Sequence, residues 1–196
     1  MTIRTRGRLP HWEAAGAIYF VTFRLADSLP QEVLEQIMFT RRDTIARAAQ
    51  MGREVLASEQ VRLKELHTRR MERFLDAGAG KCYLCNPAVA GFVANALRSF
   101  DGKRYRLFAW CIMPNHVHVI FQAFPPDKLN QVLHTWKSFT AKEANKLLNR
   151  SGEFWQREYF DHLIRNAAEF NRVMQYVINN PKRAGLKSWP WVWSAQ

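Results

Sequence analysis

The stretch MPNHVHVIF, Met113–Phe121, decides the fold class because it combines a strand pattern with a pair of histidines. Side chains alternate between the two faces of a strand, so His116 and His118 share one face. Val117, Val119 and Phe121 lie on the other face, which is apolar enough to be a core face. The stretch therefore predicts a strand with one core face and one face that carries two imidazoles.

The segments around this stretch predict an α+β fold. AIYFVTFRL (residues 17–25) and RYRLFAWCIM (104–113) are rich in β-branched and aromatic residues, and the second is joined to HVHVIFQA by the turn pair Pro114-Asn115. A short strand is expected within the aromatic segment EFWQREYFDHLI (residues 153–164). Helical patterns cover residues 31–76, 86–100, 127–150 and 167–179. This order predicts an antiparallel, ferredoxin-like sheet with helices packed on it.

The chain shows no internal repeat and no low-complexity linker. We therefore predict a single domain over residues 1–196, with a long helical insertion after the first strand at about residues 31–100. Cys82 and Cys85 form a CxxC pair, but there is no second such pair, so a zinc site is not expected.

The charge balance indicates a polyanionic partner. The chain has 29 Lys and Arg against 17 Asp and Glu, a net charge of +12 and a pI of about 10.1. Such an excess is most often matched by nucleic acid. No apolar run reaches the roughly 18 residues of a membrane-spanning helix, and three cysteines suit a reducing compartment. We expect a cytoplasmic chain with no membrane association.

The last helical segment adds a second group of polar side chains. Asn166 is a suitable N-cap residue, and the apolar residues that follow it recur at helical spacing. Tyr176 and Asn180 lie one turn apart on a neighbouring face. Because Pro181 restricts the residue before it, the helix is expected to end at Asn179 or Asn180.

These groups suit nucleophilic chemistry beside a metal ion. A tyrosine hydroxyl is a recognised covalent nucleophile, and a nearby cation lowers its pKa and neutralises a phosphate under attack. Two imidazoles and a carboxamide oxygen leave open positions on a divalent ion. Without the histidines, Tyr176 and Asn180 would be read as a half-buried tyrosine and a helix cap.

MPNHVHVIF, FWQREYFDHLIRN and YVINNPKRAGL resemble the REP-associated tyrosine transposases, a branch of the single-tyrosine HUH transposases. The likeness extends to RLPHWEAAGAIYFVTFRLADSLP and WKSFTAKE, so it spans nearly the whole chain. It implies the RRM-like HUH topology and a metal-dependent enzyme that cuts single-stranded DNA at hairpin-flanked, REP-type sites. Family members form a 5′-phosphotyrosine bond and use Mg²⁺ or Mn²⁺.

The resemblance assigns roles to individual residues. Tyr176 corresponds to the nucleophile, and His116, His118 and Asn180 correspond to the metal ligands. The implied partner is single-stranded or hairpin DNA, which would make the chain nucleoid-associated, and a monomer or a homodimer is equally compatible. Basic, aromatic and amide residues expected to contact this DNA are Lys137, Lys142, Arg104, Trp155 and Gln156.

Alternatives remain for the nucleophile and for the function. Tyr159 is the competing nucleophile, but Leu163, four residues later, cannot bind a metal; His162, at three residues, can, although that segment is extended rather than helical. The chain is alternatively a non-catalytic module that binds structured RNA or DNA. A metal hydrolase that uses activated water is the third possibility, in which Tyr176 would be dispensable.

Overall fold

The computed structural model describes residues 2–6, 9–13, 16–29, 31–53, 56, 58–59, 74–75 and 77–195. The chain divides into two compact units, one formed by Met1–Ala26 with Cys82–Gln196 and the other by Asp27–Lys81. No described helix is long and apolar enough to cross a membrane.

The first unit holds the described strands and three of the helices. Its strands are β1 (Thr2–Arg6), β2 (Leu9–Glu13), β3 (Ile18–Arg24), β4 (Tyr105–Ile112), β5 (His116–Ala123), β6 (Phe160–Leu163) and β7 (Val192–Ser194). Its helices are α2 (Pro87–Arg98), α3 (Leu129–Leu147) and α4 (Ala167–Arg183).

The main sheet has the strand order β6-β3-β5-β4-β7, and each neighbouring pair is antiparallel. Without β7 this is the ferredoxin-like order, in which each helical crossover skips one strand position. The predicted α+β fold with an antiparallel sheet is confirmed. The sequence patterns missed two features, the β1–β2 hairpin and the pairing of β7 with the edge of β4.

One face of the sheet packs against α2 and α3. Val117, Val119 and Phe121 of β5 lie in this core, as the alternation of the sequence predicted. A register shift between Leu107 and Ala109 lets Leu107 and Trp110 of β4 face the same core, although an unbroken strand would place residues three apart on opposite faces. The bulge thus keeps this core face continuous.

The other face of the sheet packs against α4. Phe20, Cys111 and Ile120 from three adjacent strands form a smaller apolar cluster with Val177 of the helix. Asn166 caps the start of α4, where its side chain accepts a hydrogen bond from the backbone N–H of Glu169 at 2.9 Å. The helix therefore covers the sheet face that carries His116 and His118.

The prediction that α4 ends at Asn179 or Asn180 is wrong, because the helix continues through Pro181 to Arg183. The end is set by Gly185, at φ 75°, in the left-handed region. The N–H of Leu186 donates to the carbonyl of Pro181 at 2.8 Å and the N–H of Gly185 to that of Lys182 at 3.1 Å, a Schellman arrangement. Asn180 consequently lies inside the helix and is not its cap.

The second unit contains α1 (Gln31–Gln50). Within it the backbone N–H of Lys81 donates to the Oδ2 atom of Asp27 at 3.0 Å, and Leu29 and Leu75 form a small buried cluster. Helix α2, which the sequence analysis included in the insertion at residues 31–100, belongs to the first unit. The assignment of a single domain to residues 1–196 stays a prediction.

The Schellman end of α4 is testable with two matched substitutions. Gly185→Ala forces a Cβ into the left-handed region and is expected to lower the free energy of unfolding by about 1 kcal/mol. Gly91→Ala lies inside α2, where an added Cβ meets no atom within 4 Å, and is expected to raise it by about 0.5–1 kcal/mol. Urea unfolding measures both, and equal signs would contradict this account of the helix end.

Candidate active site

The paired histidines sit on the central strand β5, opposite two residues of β3. Thr22 is the cross-strand partner of His118, and Arg24 is the partner of His116. Directly opposed residues of an antiparallel pair project to the same face, so all four side chains lie on the face covered by α4. His116 is 0% and His118 2% exposed, so the face that carries the imidazoles is also in the interior of the protein.

Hydrogen bonds orient both rings through their Nδ1 atoms. Nδ1 of His116 lies 2.7 Å from Oδ1 of Asn115, and Nδ1 of His118 lies 2.8 Å from Oγ1 of Thr22. Because an amide oxygen only accepts, Nδ1 of His116 carries the proton and its Nε2 presents a lone pair. The two Nε2 atoms point at each other across 3.0 Å.

Burial keeps both imidazoles neutral. It lowers the pKa of His116 well below 6.5, and the nearby charges of His118 and Arg24 lower it further. Burial, followed by the charge of Arg183, lowers the pKa of His118 to about 3. Metal ions bind imidazole only in its neutral form, so no proton has to be displaced from either ring at neutral pH.

The donor set fits a divalent metal ion. The two facing Nε2 atoms lie at hydrogen-bonding distance, 3.0 Å apart, so both would be within reach of one divalent ion. Asn180 is 1% exposed, and its Oδ1 atom is buried without a hydrogen-bond partner among the described residues. A buried amide oxygen without a partner is costly unless a ligand satisfies it.

The described residues contain no cluster of three or more His, Cys, Asp or Glu side chains that would hold a metal ion. The candidate centre has a different composition, with two imidazoles and one carboxamide. The hydrogen bonds of Asn115 to His116 and of Thr22 to His118 are of the kind that fix metal-binding histidines elsewhere.

Tyr176 lies directly beside the histidine pair. Its ring centroid is 5.3 Å from that of His118 and 5.8 Å from that of Phe20, with edge-on geometry in both contacts. The guanidinium carbon of Arg183 lies 5.1 Å from the same ring. Helix α4 thus presents a tyrosine to the imidazoles and a positive charge to the tyrosine.

Tyr159, the competing nucleophile, packs on the opposite side of the sheet. It contacts the core that α2 and α3 cover, and the Nζ atom of Lys137 lies 6.0 Å from its ring centre. His162, the alternative ligand beside it, is 2.8 Å from Oε1 of Glu169. The fold therefore brings Tyr176, and not Tyr159, to the histidine pair.

The residues expected to contact DNA are placed mainly by internal contacts. The Nζ atom of Lys137 donates to the carbonyls of Gln156 and Arg157 at 2.6 and 2.9 Å, and burial lowers the pKa of Lys137 to about 8. The side chain of Gln156 donates to the carbonyl of Ala26 at 2.8 Å. Lys137 and Gln156 thus fix the segment that leads into β6.

Trp155 and Arg104 are also engaged within the protein. Trp155 is 5% exposed and its Nε1 donates to Oγ1 of Thr140. Arg104 pairs with Asp127 at 2.5 Å. Lys142, in contrast, is exposed on α3. DNA binding by these five residues stays a prediction, and Lys142 is the one whose exposure suits it best.

Sequence analysis missed four residues that line or support the site. Asn115 and Thr22 orient the two rings, Arg24 faces His116, and Arg183 faces Tyr176. Alternation within β3 puts Thr22 and Arg24 on one face, but only the register of β3 against β5 shows that this face belongs to the histidines.

The buried neutral imidazoles predict a pH dependence of stability in protein kept metal-free with a chelator. Both pKa values are lowered on folding, so below about 6.5 the unfolded chain binds protons that the folded protein does not. The free energy of unfolding should therefore fall as the pH falls from 6.5 towards 4, by about 1 kcal/mol per pH unit for each histidine.

His118→Gln is the matched control, because it keeps a polar side chain and removes one titrating group. The difference in unfolding free energy between the wild type and this variant should shrink as the pH is lowered. A difference that is constant between pH 4 and 7.5 would contradict the burial of a neutral His118.

Residues 90–180 match the model of the family described as Transposase IS200 like. This range is slightly less than half of the chain and contains both histidines, Tyr176 and Asn180. The match therefore includes the candidate ligands and nucleophile, while Thr22, Arg24 and Arg183 lie outside it.

Two curated relatives are REP-associated tyrosine transposases. One, from Haemophilus influenzae, is 26% identical over 102 residues, which cover 44% of this chain and 57% of that protein. The other, from Escherichia coli K12, is 22% identical over 92 residues, which cover 45% and 53%. The chain thus spans only a little more than half the length of the curated relatives it matches.

A solved structure extends the likeness to the fold. It is that of a REP-associated tyrosine transposase bound to a REP hairpin, with a TM-score of 0.51 at 15% identity, over 96% of this chain and 82% of that one. At this identity the likeness concerns the fold alone. The chain is therefore similar to the REP-associated tyrosine transposases in part of its sequence and in fold, and the resemblance that its motifs predicted is confirmed.

Proposed function

We propose that this chain is a transposase-like enzyme that cuts and rejoins single-stranded DNA at hairpin sequences through a covalent bond to Tyr176. The observation that carries the proposal is the contact between the Tyr176 and His118 rings at 5.3 Å, on the helix that covers the imidazole pair. A nucleophile, three candidate ligands and two arginines meet at one sheet face.

The proposed reaction is an exchange of phosphate esters. The Oη atom of Tyr176 forms a bond to the phosphorus of one DNA linkage, and the bond from that phosphorus to the 3′ oxygen breaks. The phenol loses its proton, and the departing 3′ oxygen gains one, so the DNA is left with a free 3′ hydroxyl and a 5′-phosphotyrosine. Attack of a 3′ hydroxyl on that ester reverses the step and joins strands without an external energy source.

We assign the metal-binding role to His116, His118 and Asn180. Their donor atoms are the two facing Nε2 atoms and the unpartnered Oδ1. When bound there, a divalent ion would supply positive charge to the attacked phosphate and to the phenolate. Mg²⁺ and Mn²⁺ are the candidates, and two nitrogen donors favour Mn²⁺, since Mg²⁺ is usually bound by oxygens.

Hairpin DNA of the REP type is the proposed substrate. The relative of known structure is bound to a REP hairpin, and a net charge of +12 suits a phosphate backbone. The exposed Lys142 and the guanidinium of Arg183 are basic groups available to that backbone among the described residues. We infer that charge contributes affinity for any strand and that other contacts select the hairpin.

The nucleophile is tested by Tyr176→Phe with Tyr159→Phe as the control. The first variant removes only the hydroxyl, so the ring contacts with His118 and Phe20 persist, and the covalent adduct and cleavage should be lost. The second should retain adduct formation. Hairpin DNA labelled at its 3′ end is incubated with Mn²⁺ and run on a denaturing gel, where a 5′-phosphotyrosine appears as a labelled protein band.

The same gel separates the alternatives. An adduct that persists in Tyr176→Phe and disappears in Tyr159→Phe would overturn the assignment of the nucleophile. Free cut DNA without any adduct would indicate hydrolysis by activated water. Binding without cutting would indicate the non-catalytic module.

The metal role is tested by titrating Mn²⁺ into the wild type, His118→Gln and Asn180→Ala. His118→Gln removes an imidazole donor and should abolish cleavage at all Mn²⁺ concentrations. Asn180→Ala removes one neutral oxygen that water can replace, so it should raise the Mn²⁺ concentration needed for half-maximal cleavage by about tenfold. Isothermal titration calorimetry with Mn²⁺ in the absence of DNA should rank the affinities in the same order as the cleavage assay if these residues are ligands.

A further inference from the structure

Arg24 is a buried arginine next to the candidate metal ligands. It ends β3 opposite His116, on the face that α4 covers, and it is 7% exposed. Its positive charge is close enough to His116 to lower the pKa of that ring, after the larger effects of burial and of His118. Arg24 therefore lies at the edge of the site, on the strand that also supplies Thr22.

Part of the Arg24 guanidinium has no partner among the described residues. Its Nε atom is buried without a hydrogen-bond partner there, and no carboxylate of those residues lies within ion-pair distance of the side chain. Glu158 is the acidic residue whose charge reaches Arg24. Arg104, by comparison, is held by Asp127 at 2.5 Å.

Arg24 nevertheless stays charged. Burial lowers its pKa to about 10, and the charge of Glu158 opposes this effect, so the group is protonated at neutral pH. Charged side chains are rarely buried unless a partner compensates for the lost hydration. A folded protein that keeps such a cation without a bound partner is therefore suited to receive an anion.

The surroundings indicate which anion this is. The rings of His116 and His118 are 4.6 Å apart, and Tyr176 lies 5.3 Å beyond His118. The second positive charge at this site comes from Arg183, beside Tyr176. Arginines therefore lie at both ends of the imidazole pair, and a guanidinium matches the paired oxygens of a phosphate group.

We propose that Arg24 binds a non-bridging oxygen of the DNA phosphate that Tyr176 attacks. The inference rests on the proposed function and adds a residue to it. In this role Arg24 neutralises charge on a non-bridging oxygen, and it lowers the barrier because negative charge accumulates on the non-bridging oxygens as the new bond forms.

The effect of removing Arg24 on thermal stability distinguishes a purely structural role from a phosphate-binding role. If Arg24 served mainly to balance the buried charge of Glu158, its removal would leave that carboxylate unpaired and lower the melting temperature. If it awaits a phosphate, Arg24→Met removes an uncompensated buried charge and should leave the melting temperature of the DNA-free protein unchanged or higher. Thermal melts of the wild type, Arg24→Met and Glu158→Gln separate the two cases.

Binding to modified DNA tests the phosphate contact without any cleavage. In a Tyr176→Phe background, hairpin oligonucleotides carry one neutral methylphosphonate at successive linkages. At one of these linkages, the neutral methylphosphonate should weaken binding by roughly tenfold or more, because a charge-assisted hydrogen bond is lost. Adding Arg24→Met should weaken binding of unmodified DNA by a similar factor. In that variant, the methylphosphonate at that one linkage should cause no further loss of affinity.

Arg98→Met is the matched control, because it removes the same charge from an exposed position on α2, across the sheet from the site. In the Arg98→Met variant, neutralising that linkage should still weaken binding. Arg24→Lys keeps the charge, so it supplies a folded variant if Arg24→Met does not fold; it should cleave at least about tenfold more slowly than the wild type, since an ammonium does not match the paired oxygens.

The proposal would be overturned if binding by Arg24→Met were as sensitive to the neutral linkage as binding by the parent protein. It would also be overturned if Arg24→Lys cleaved DNA at the wild-type rate and Arg24→Met had a lower melting temperature. Failure of the proposed function itself is distinct, because the unmodified wild type would then form no covalent adduct with hairpin DNA.

Discussion

The pairing of β3 with β5 holds Thr22 opposite His118 and Arg24 opposite His116, and the rest of the candidate site depends on this register. A slip by one residue would turn Thr22 and Arg24 towards the α2–α3 core and leave His118 without its Nδ1 partner. The register is fixed by the apolar residues on the other face, because Val21 and Val119, which are also paired, are fully buried there. The larger core thus positions the polar groups across the sheet.

Helix α4 serves both packing and chemistry. Its apolar stripe closes the smaller cluster with Val177, while Tyr176 contacts the ring of His118 and Asn180 lies buried one turn further along the same helix. Because the helix covers the imidazoles, both stay neutral and water is largely excluded from them. A charge placed in such surroundings interacts more strongly than in water. Burial thereby makes the site suited to a metal ion and a phosphate, at a cost in unsatisfied polar groups.

Two of the buried polar atoms without a hydrogen-bond partner among the described residues lie at the site, and others, such as Nε1 of Trp110, lie elsewhere in the first unit. The lysine and arginine on the opposite side are matched by internal acceptors, as Lys137 is by two carbonyls and Arg104 by Asp127. On the α4 side, Oδ1 of Asn180 and Nε of Arg24 have no partner among the described residues. One is an acceptor suited to a cation and the other a donor suited to an anion. Their presence within one site is what a metal-assisted reaction on a phosphate requires.

The sequence by itself determined the order of β3 to β6 and of the helices that follow them, but not β1, β2 or β7. It also determined the shared face of His116 and His118 and the one-turn spacing of Tyr176 and Asn180, because each follows from a local period of two or 3.6 residues. It did not determine that α4 passes through Pro181, because the stop is made by Gly185 and Leu186 beyond it. Only the tertiary structure brought Thr22 and Arg24 to the histidines, moved Tyr159 to the other face and buried the imidazoles. These outcomes depend on strand register and on which helix covers which face, and no local pattern encodes either.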